Sequence, residues 1–176
     1  MDTSGNVNFT AERTVAVIDT EPPELLEDIT PSTATTGGTL AFTVTARDNV
    51  GLREARVRYT LGEGDPIVAT MHLLEENASG EVVLNLTIEL PPDIVGALVY
   101  VVELEDMDGN VLTSGPRTVQ VVDDDAPVLV EDLTPPNALA GGELAFLVRV
   151  ADNIGVEGVQ VEYDVGGGAP TTAPMV

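Results

Sequence analysis

Val121-Val122-Asp123-Asp124-Asp125-Ala126-Pro127 ends a run of β-branched residues, sets three carboxylates in succession and restarts the chain with a proline. Valine favours extended backbone, whereas aspartate and proline are depleted inside strands, so the stretch reads as a junction between folded units. The same punctuation stands 104 positions earlier, at Val17-Ile18-Asp19-Thr20-Glu21-Pro22-Pro23. Sliding the sequence against itself by that offset aligns residues 1–72 with 105–176 without a gap, and 32 of the 72 pairs are identical. Glu27-Asp28 matches Glu131-Asp132, Leu40-Ala41-Phe42 matches Leu144-Ala145-Phe146, and Asp48-Asn49-Val50-Gly51 matches Asp152-Asn153-Ile154-Gly155. The chain is an array of one module.

The offset also sets the phase. Residues 1–18 correspond to the last strand of a preceding repeat, 19–122 form a complete repeat, and 123–176 correspond to the first half of a following one. Within the complete repeat, hydrophobicity alternates with period two and shows no helical period. Leu40, Phe42 and Val44 alternate with threonines, Val57 and Tyr59 with arginines, and Leu84, Leu86 and Ile88 with polar residues. Leu98, Tyr100 and Val102 continue the pattern. These eleven side chains are the expected core. Gly- and Asp-rich turn signals separate the runs, which gives about seven strands in roughly 100 residues, the pattern of an antiparallel sandwich. The fold class is therefore all-β, as tandem immunoglobulin-like antiparallel β-sandwiches, without the disulfide or tryptophan of antibody domains.

The Asp-Asn-x-Gly turn after the second strand, the turn Asp106-Met107-Asp108-Gly109-Asn110 before the last, and the closing Asp-rich joint resemble the immunoglobulin-like repeats of bacterial and archaeal surface proteins. The joint is also similar to that of cadherin repeats, although the fuller cadherin pattern is not matched. What the resemblance implies is an architecture that serves many functions.

Thirty acidic residues against seven basic ones give a net charge of −23. Such a chain repels nucleic acid and anionic membranes, and it suits either high salt or bound divalent cations. No cysteine is present, which excludes disulfides, thiolate metal sites and a cysteine nucleophile. No apolar run approaches the length of a membrane span, so direct membrane insertion is not expected. Sequons at Asn8, Asn77 and Asn85 become glycoprotein sites if the chain is exported.

Where chemistry is concerned, the acids stand out. In a sandwich of this topology Asp48 and Asn49, the turn residues Asp106, Asp108 and Asn110, and the linker residues Asp19 and Glu21 meet at the pole where the chain enters. Hard cations take six to eight oxygen ligands, and this set offers carboxylates and amides of the right kind for calcium. At the second joint Asp123, Asp124, Asp125, Asp152 and Asn153 are the counterparts. The same residues also read as turn formers that bond their own backbone and sit solvated. His72 is alone and makes no zinc set. Clustered carboxylates that recur with the repeat favour architecture over an active site, so no enzymatic activity is expected. Tyr59, Tyr100 and Tyr163 fall on inward faces rather than forming a sugar platform.

The functional expectation is a structural repeat of an extracellular or cell-surface protein, an adhesin stalk, surface layer or filament, with calcium at its joints. Its partners would be neighbouring repeats or copies of itself joined by strand complementation. The alternative is an accessory ligand- or carbohydrate-binding module of a larger secreted enzyme.

Overall fold

The computed structural model describes residues 1–175. The complete repeat is a two-sheet sandwich. One sheet has the order β1 (Glu24–Asp28), β3 (Thr39–Arg47), β7 (Glu81–Glu89), β6 (His72–Glu76), all antiparallel. The facing sheet runs β2 (Thr33–Thr35), β10 (Arg117–Val122), β8 (Gly96–Asp106), β4 (Leu52–Leu61), β5 (Ile67–Thr70), with β9 (Val111–Thr113) also paired to β8. This is the immunoglobulin strand order, and it is legible in the backbone alone.

Ten strands appear where the sequence pattern suggests about seven, because three segments are divided. The first strand crosses from one sheet to the other between Asp28 and Thr33, and the 67–73 segment does the same around Met71, which plugs the gap at 4% exposure. Ser114-Gly115-Pro116 interrupts the last strand, since proline has no N–H to give to the ladder. One further departure concerns polarity: β10 pairs with β2 in parallel, Gln120–Val122 against Thr33–Thr35. The sandwich is therefore mixed at that edge.

Alternation explains the core. Leu40, Phe42, Val44, Val57, Leu84, Leu98, Tyr100 and Val102 are buried as expected, whereas Tyr59, Leu86 and Ile88 are partly covered and pack against that core. Phe42 is fully buried, with Tyr100 edge-on at 5.0 Å and Tyr59 at 5.8 Å between ring centroids. Gly37 holds φ +65° in the turn before β3, where its N–H reaches the Pro91 carbonyl at 3.1 Å and any side chain would be strained.

Across the middle of the module runs a polar tie. Asp28, with its side chain 1% exposed, accepts the Tyr100 hydroxyl at 2.8 Å and pairs with Arg117 at 3.2 Å. Arg117 is itself exposed, but its partner is buried and links the two sheets. Burial first, and the neighbouring Asp28 carboxylate after it, push the Tyr100 hydroxyl up to about 12.

Residues 123–175 repeat the opening of the module. β11 (Val128–Asp132) pairs with β12 (Val148–Ala151), and β13 (Val159–Tyr163) with β14 (Thr171–Met175). The bulge between Leu25 and Glu27 recurs between Leu129 and Glu131, so the repeat preserves backbone detail as well as pattern. Phe146 meets Tyr163 at 5.3 Å, as Phe42 meets Tyr59. No helix among the described residues is long and apolar enough to cross a membrane.

Candidate cation site at the module joint

Period-two alternation places the two principal acids. Along β3 the inward positions are Leu40, Phe42, Val44 and Ala46, and the next one beyond the strand is Asp48. Along β8 they are Leu98, Tyr100, Val102 and Leu104, and the next is Asp106, which is fully buried. Each carboxylate thus continues an inward row past the apolar core to the pole of the sandwich. There the incoming linker supplies Asp19, and carboxylate oxygens of Asp19, Asp48 and Asp106 all lie within 4.8 Å of one another.

Local hydrogen bonds hold this arrangement. Asp48 accepts the N–H groups of Val50 and Gly51 through Oδ2, at 2.8 and 2.7 Å. Asp106 accepts the N–H groups of Asp108 and Asn110 and the Asn110 amide, the last at 2.6 Å, in a turn where Gly109 takes φ +92°. Burial raises the Asp106 carboxyl, but these bonds outweigh it and hold the group below its ordinary value. The linker is clamped twice. The Asn49 amide donates to Asp19 Oδ1 at 3.1 Å, and the Asn110 amide reaches the Asp19 and Glu21 carbonyls at 3.3 and 3.4 Å.

What these bonds leave over is the decisive feature. Asp19 Oδ2 and Asp48 Oδ1 are buried and, among the described residues, have no hydrogen-bond partner. Buried polar atoms are nearly always paired, and an unpaired one costs about 1–3 kcal/mol. Two orphaned acceptors on converging carboxylates form the environment that a hard cation satisfies.

Not every residue of the expected set joins the cluster. The carboxylates of Glu21 and Asp108 are exposed and outside the three-acid group; Glu21 contributes its backbone carbonyl to Asn110 instead. At the second joint Asp123 accepts the Asn153 amide at 3.1 Å, the counterpart of the Asn49–Asp19 bond, and Asp152 accepts the Ile154 and Gly155 N–H groups. Asp124 and Asp125 are exposed there. Asn153 does more than its counterpart: its amide also reaches the Pro92 carbonyl at 2.7 Å and the Thr36 hydroxyl at 3.2 Å, both in the complete repeat. Thr36 in turn donates to Asp123 at 3.3 Å. These bonds across the joint lie beyond sequence reasoning, because Pro92 and Thr36 carry no motif.

The remaining candidates separate cleanly. His72 is exposed on β6. The amide of Asn85 is engaged with the Phe42 carbonyl and the Thr43 hydroxyl, which makes that sequon a poor acceptor in the folded state, whereas Asn8 and Asn77 are exposed.

No protein-family model matches the chain, and no curated protein matches it. Among solved structures it is similar to the SrpA adhesin R347E mutant from Streptococcus sanguinis, at 14% identity and a TM-score of 0.45, over 60% of this chain and 60% of the adhesin chain. It is also similar to murine CRIg, at 15% identity and 0.33 over 60% of this chain and all of that one, and to an ICAM-5 D1–D4 ectodomain fragment, at 17% and 0.42 over 90% and 47%. The strand order itself carries the immunoglobulin-type assignment.

Proposed function

We propose that the chain is a structural segment of an extracellular or cell-surface array, in which sandwich modules are joined end to end and stiffened by calcium at the joints. The observation that carries the cation is a buried, unpartnered oxygen on each of Asp19 and Asp48, whose carboxylates gather with that of Asp106 within 4.8 Å. Three carboxylates without a counter-ion repel one another, and among the described residues no basic side chain pairs with any of them. A divalent cation would be held by Asp19, Asp48 and Asp106, with water completing its shell. Oxygen-only ligands favour calcium over transition metals, and a site fixed by two loops and a linker ties three segments at once.

The array role is supported by the repeat and by the second joint, where Asn153 and Asp123 fasten one module to the next through Thr36 and Pro92. Adhesive stalks, surface layers and filaments share this need for a spacer of set orientation. The net charge of −23 keeps such an array soluble in brine and accords with bound cations. Isothermal titration of the whole chain with calcium, after chelator treatment, tests the reading. Saturable heat that is lost in Asp48→Asn and not reproduced by sodium is expected; no calcium-specific heat removes the site.

A further inference from the structure

We infer that β5 is a lateral docking edge, at which two copies of this chain pair strand to strand, antiparallel about a two-fold axis. β1, β6, β2 and β5 end the two sheets of the complete repeat, and the first three are blunted. β1 carries a bulge with Glu24 and Glu27, β6 a bulge with Glu75 and Glu76, and β2 has only three residues. β5, Ile67-Val68-Ala69-Thr70, has neither bulge nor charge. Such an edge is a template for a further strand.

The register shows which backbone groups are free. The Met71 N–H donates to the Ala55 carbonyl at 2.8 Å, and the pairing continues as Arg56 with Thr70, Val57 with Ala69 and Arg58 with Val68. Hydrogen-bonded and non-bonded pairs alternate in an antiparallel ladder. Ala69 and Ile67 therefore bond β4, while Val68 and Thr70 turn their N–H and C=O groups outward. A two-fold axis through Ala69 sets Val68 of each copy opposite Thr70 of the other, so that each pair exchanges N–H and C=O both ways with its side chains on matching faces. Ala69 then meets Ala69 of the second copy.

Side chains favour the same contact. Ile67 and Val68 are 51% and 56% exposed, and past the crossover at Met71 the exposed Leu73 and Leu74 extend the apolar strip along the same flank. Charge does not oppose it locally, although the chain carries −23 overall. On β4, directly behind the seam, Arg56 is held by Glu54 and Arg58 by Glu103 at 3.4 Å, so the charges cancel. Glu63 and Asp65 precede β5, and the two-fold axis sends those of the two copies to opposite ends of the seam. Salt screens the repulsion that remains.

The following repeat supplies the contrast. There the counterpart of β5 is Thr171-Thr172-Ala173-Pro174, within β14. Pro174 stands opposite Gln160 as Thr70 stands opposite Arg56, in a non-bonded position, so the N–H it lacks is the one that would point outward. Proline at that place blunts an edge. Threonines replace Ile67 and Val68, and Gln160 and Glu162 replace Arg56 and Arg58. One framework thus occurs with the edge open and with the edge closed, and backbone, apolar surface and charge all differ in the same direction.

A seam of four residues a side buries less than the roughly 1,600 Å² of a standard interface, so the association is weak and depends on concentration. It uses no joint residue and does not rest on the cation reading.

Sedimentation velocity of the whole chain at high sodium chloride, from micromolar to millimolar concentration, tests this. A sedimentation coefficient that rises with concentration is expected. Ile67→Thr, Val68→Thr and Thr70→Pro together give the complete repeat the edge with which the following one already forms its ladder. They should abolish the rise and leave the circular dichroism unchanged. Ala69→Cys, in a chain without other cysteine, should give a disulfide-linked dimer on mild oxidation, because opposed residues of a non-bonded pair stand about 4.5 Å apart at Cα. Ala173→Cys, its counterpart, should not. A monomer at every concentration, association unaffected by the triple substitution, or equal cross-linking through both cysteines overturns the inference.

Discussion

Asp48→Asn separates a cation site from a solvated turn because the two readings give opposite signs. The substitution keeps one acceptor for the N–H groups of Val50 and Gly51 and replaces the orphaned Oδ1 with an amide. In chelator it removes one charge from a three-carboxylate cluster and one buried unpaired acceptor, worth about 1–3 kcal/mol. A net gain of at least about 1 kcal/mol is expected, which for a module of this size is a rise in Tm of roughly 4–8 °C. With calcium at a hundredfold excess over its Kd, the unaltered protein gains about 2.7 kcal/mol and the variant gains little. The order of the two melting temperatures should therefore invert between chelator and calcium. Scanning calorimetry in both buffers, at one sodium concentration, reads the inversion. A variant that melts below the parent in chelator, or that keeps the parent's calcium increment, would refute the reasoning.

Three further outcomes follow from the packing. Phe42→Ala should cost about 3–5 kcal/mol in urea unfolding, while its counterpart Phe146→Ala, on a partly exposed face, should cost less than about 1; equal costs would mean that the complete repeat does not bury its own copy. Tyr100 is raised to about 12 from an unfolded value near 10, so its contribution is present below pH 10 and is lost as pH rises from about 10 to 12; melting between pH 9 and 11.5 should fall less steeply in Tyr100→Phe. Asp106 is depressed, so its contribution is present above an unfolded value near 3.9 and is lost as pH falls through the lower folded value; Asp106→Asn should flatten the acid limb below pH 4, and an unchanged limb would argue against it.

The fold was legible because alternation, turn residues and an ungapped repeat all specify the same strands. What the pattern could not reveal is where a strand changes sheet. Met71 lies between β5 and β6 without punctuation, and only the geometry of the sandwich tells that the chain crosses there. At the site, Asp48 and Asp106 were within reach of a simple extension of the period-two rule, since each is the next inward position beyond a buried row. Glu21 and Asp108 each stand two positions beyond a cluster aspartate, so alternation alone does not exclude them; Asp108 lies in the turn past the end of β8 and Glu21 in the linker before β1, where the period of two no longer holds and both are exposed. The bonds from Asn153 to Pro92 and Thr36 had no signal at all, because a backbone carbonyl is invisible in the sequence and the Thr36 counterpart is Ala140.

That last difference bears on how the array is held. The linker aspartate has two oxygens with separate tasks: Asp19 Oδ1 takes the Asn49 amide, and Oδ2 stays unpaired beside Asp48. At the second joint the oxygen equivalent to Oδ1, on Asp123, takes both Asn153 and Thr36, so the same carboxylate that would hold a cation also fastens the preceding module. A cation held by one oxygen would fix the orientation of the other, and occupancy would then stiffen the joint without a large interface. The counterpart of Thr36 is Ala140, which has no hydroxyl and so cannot make the equivalent of this contact.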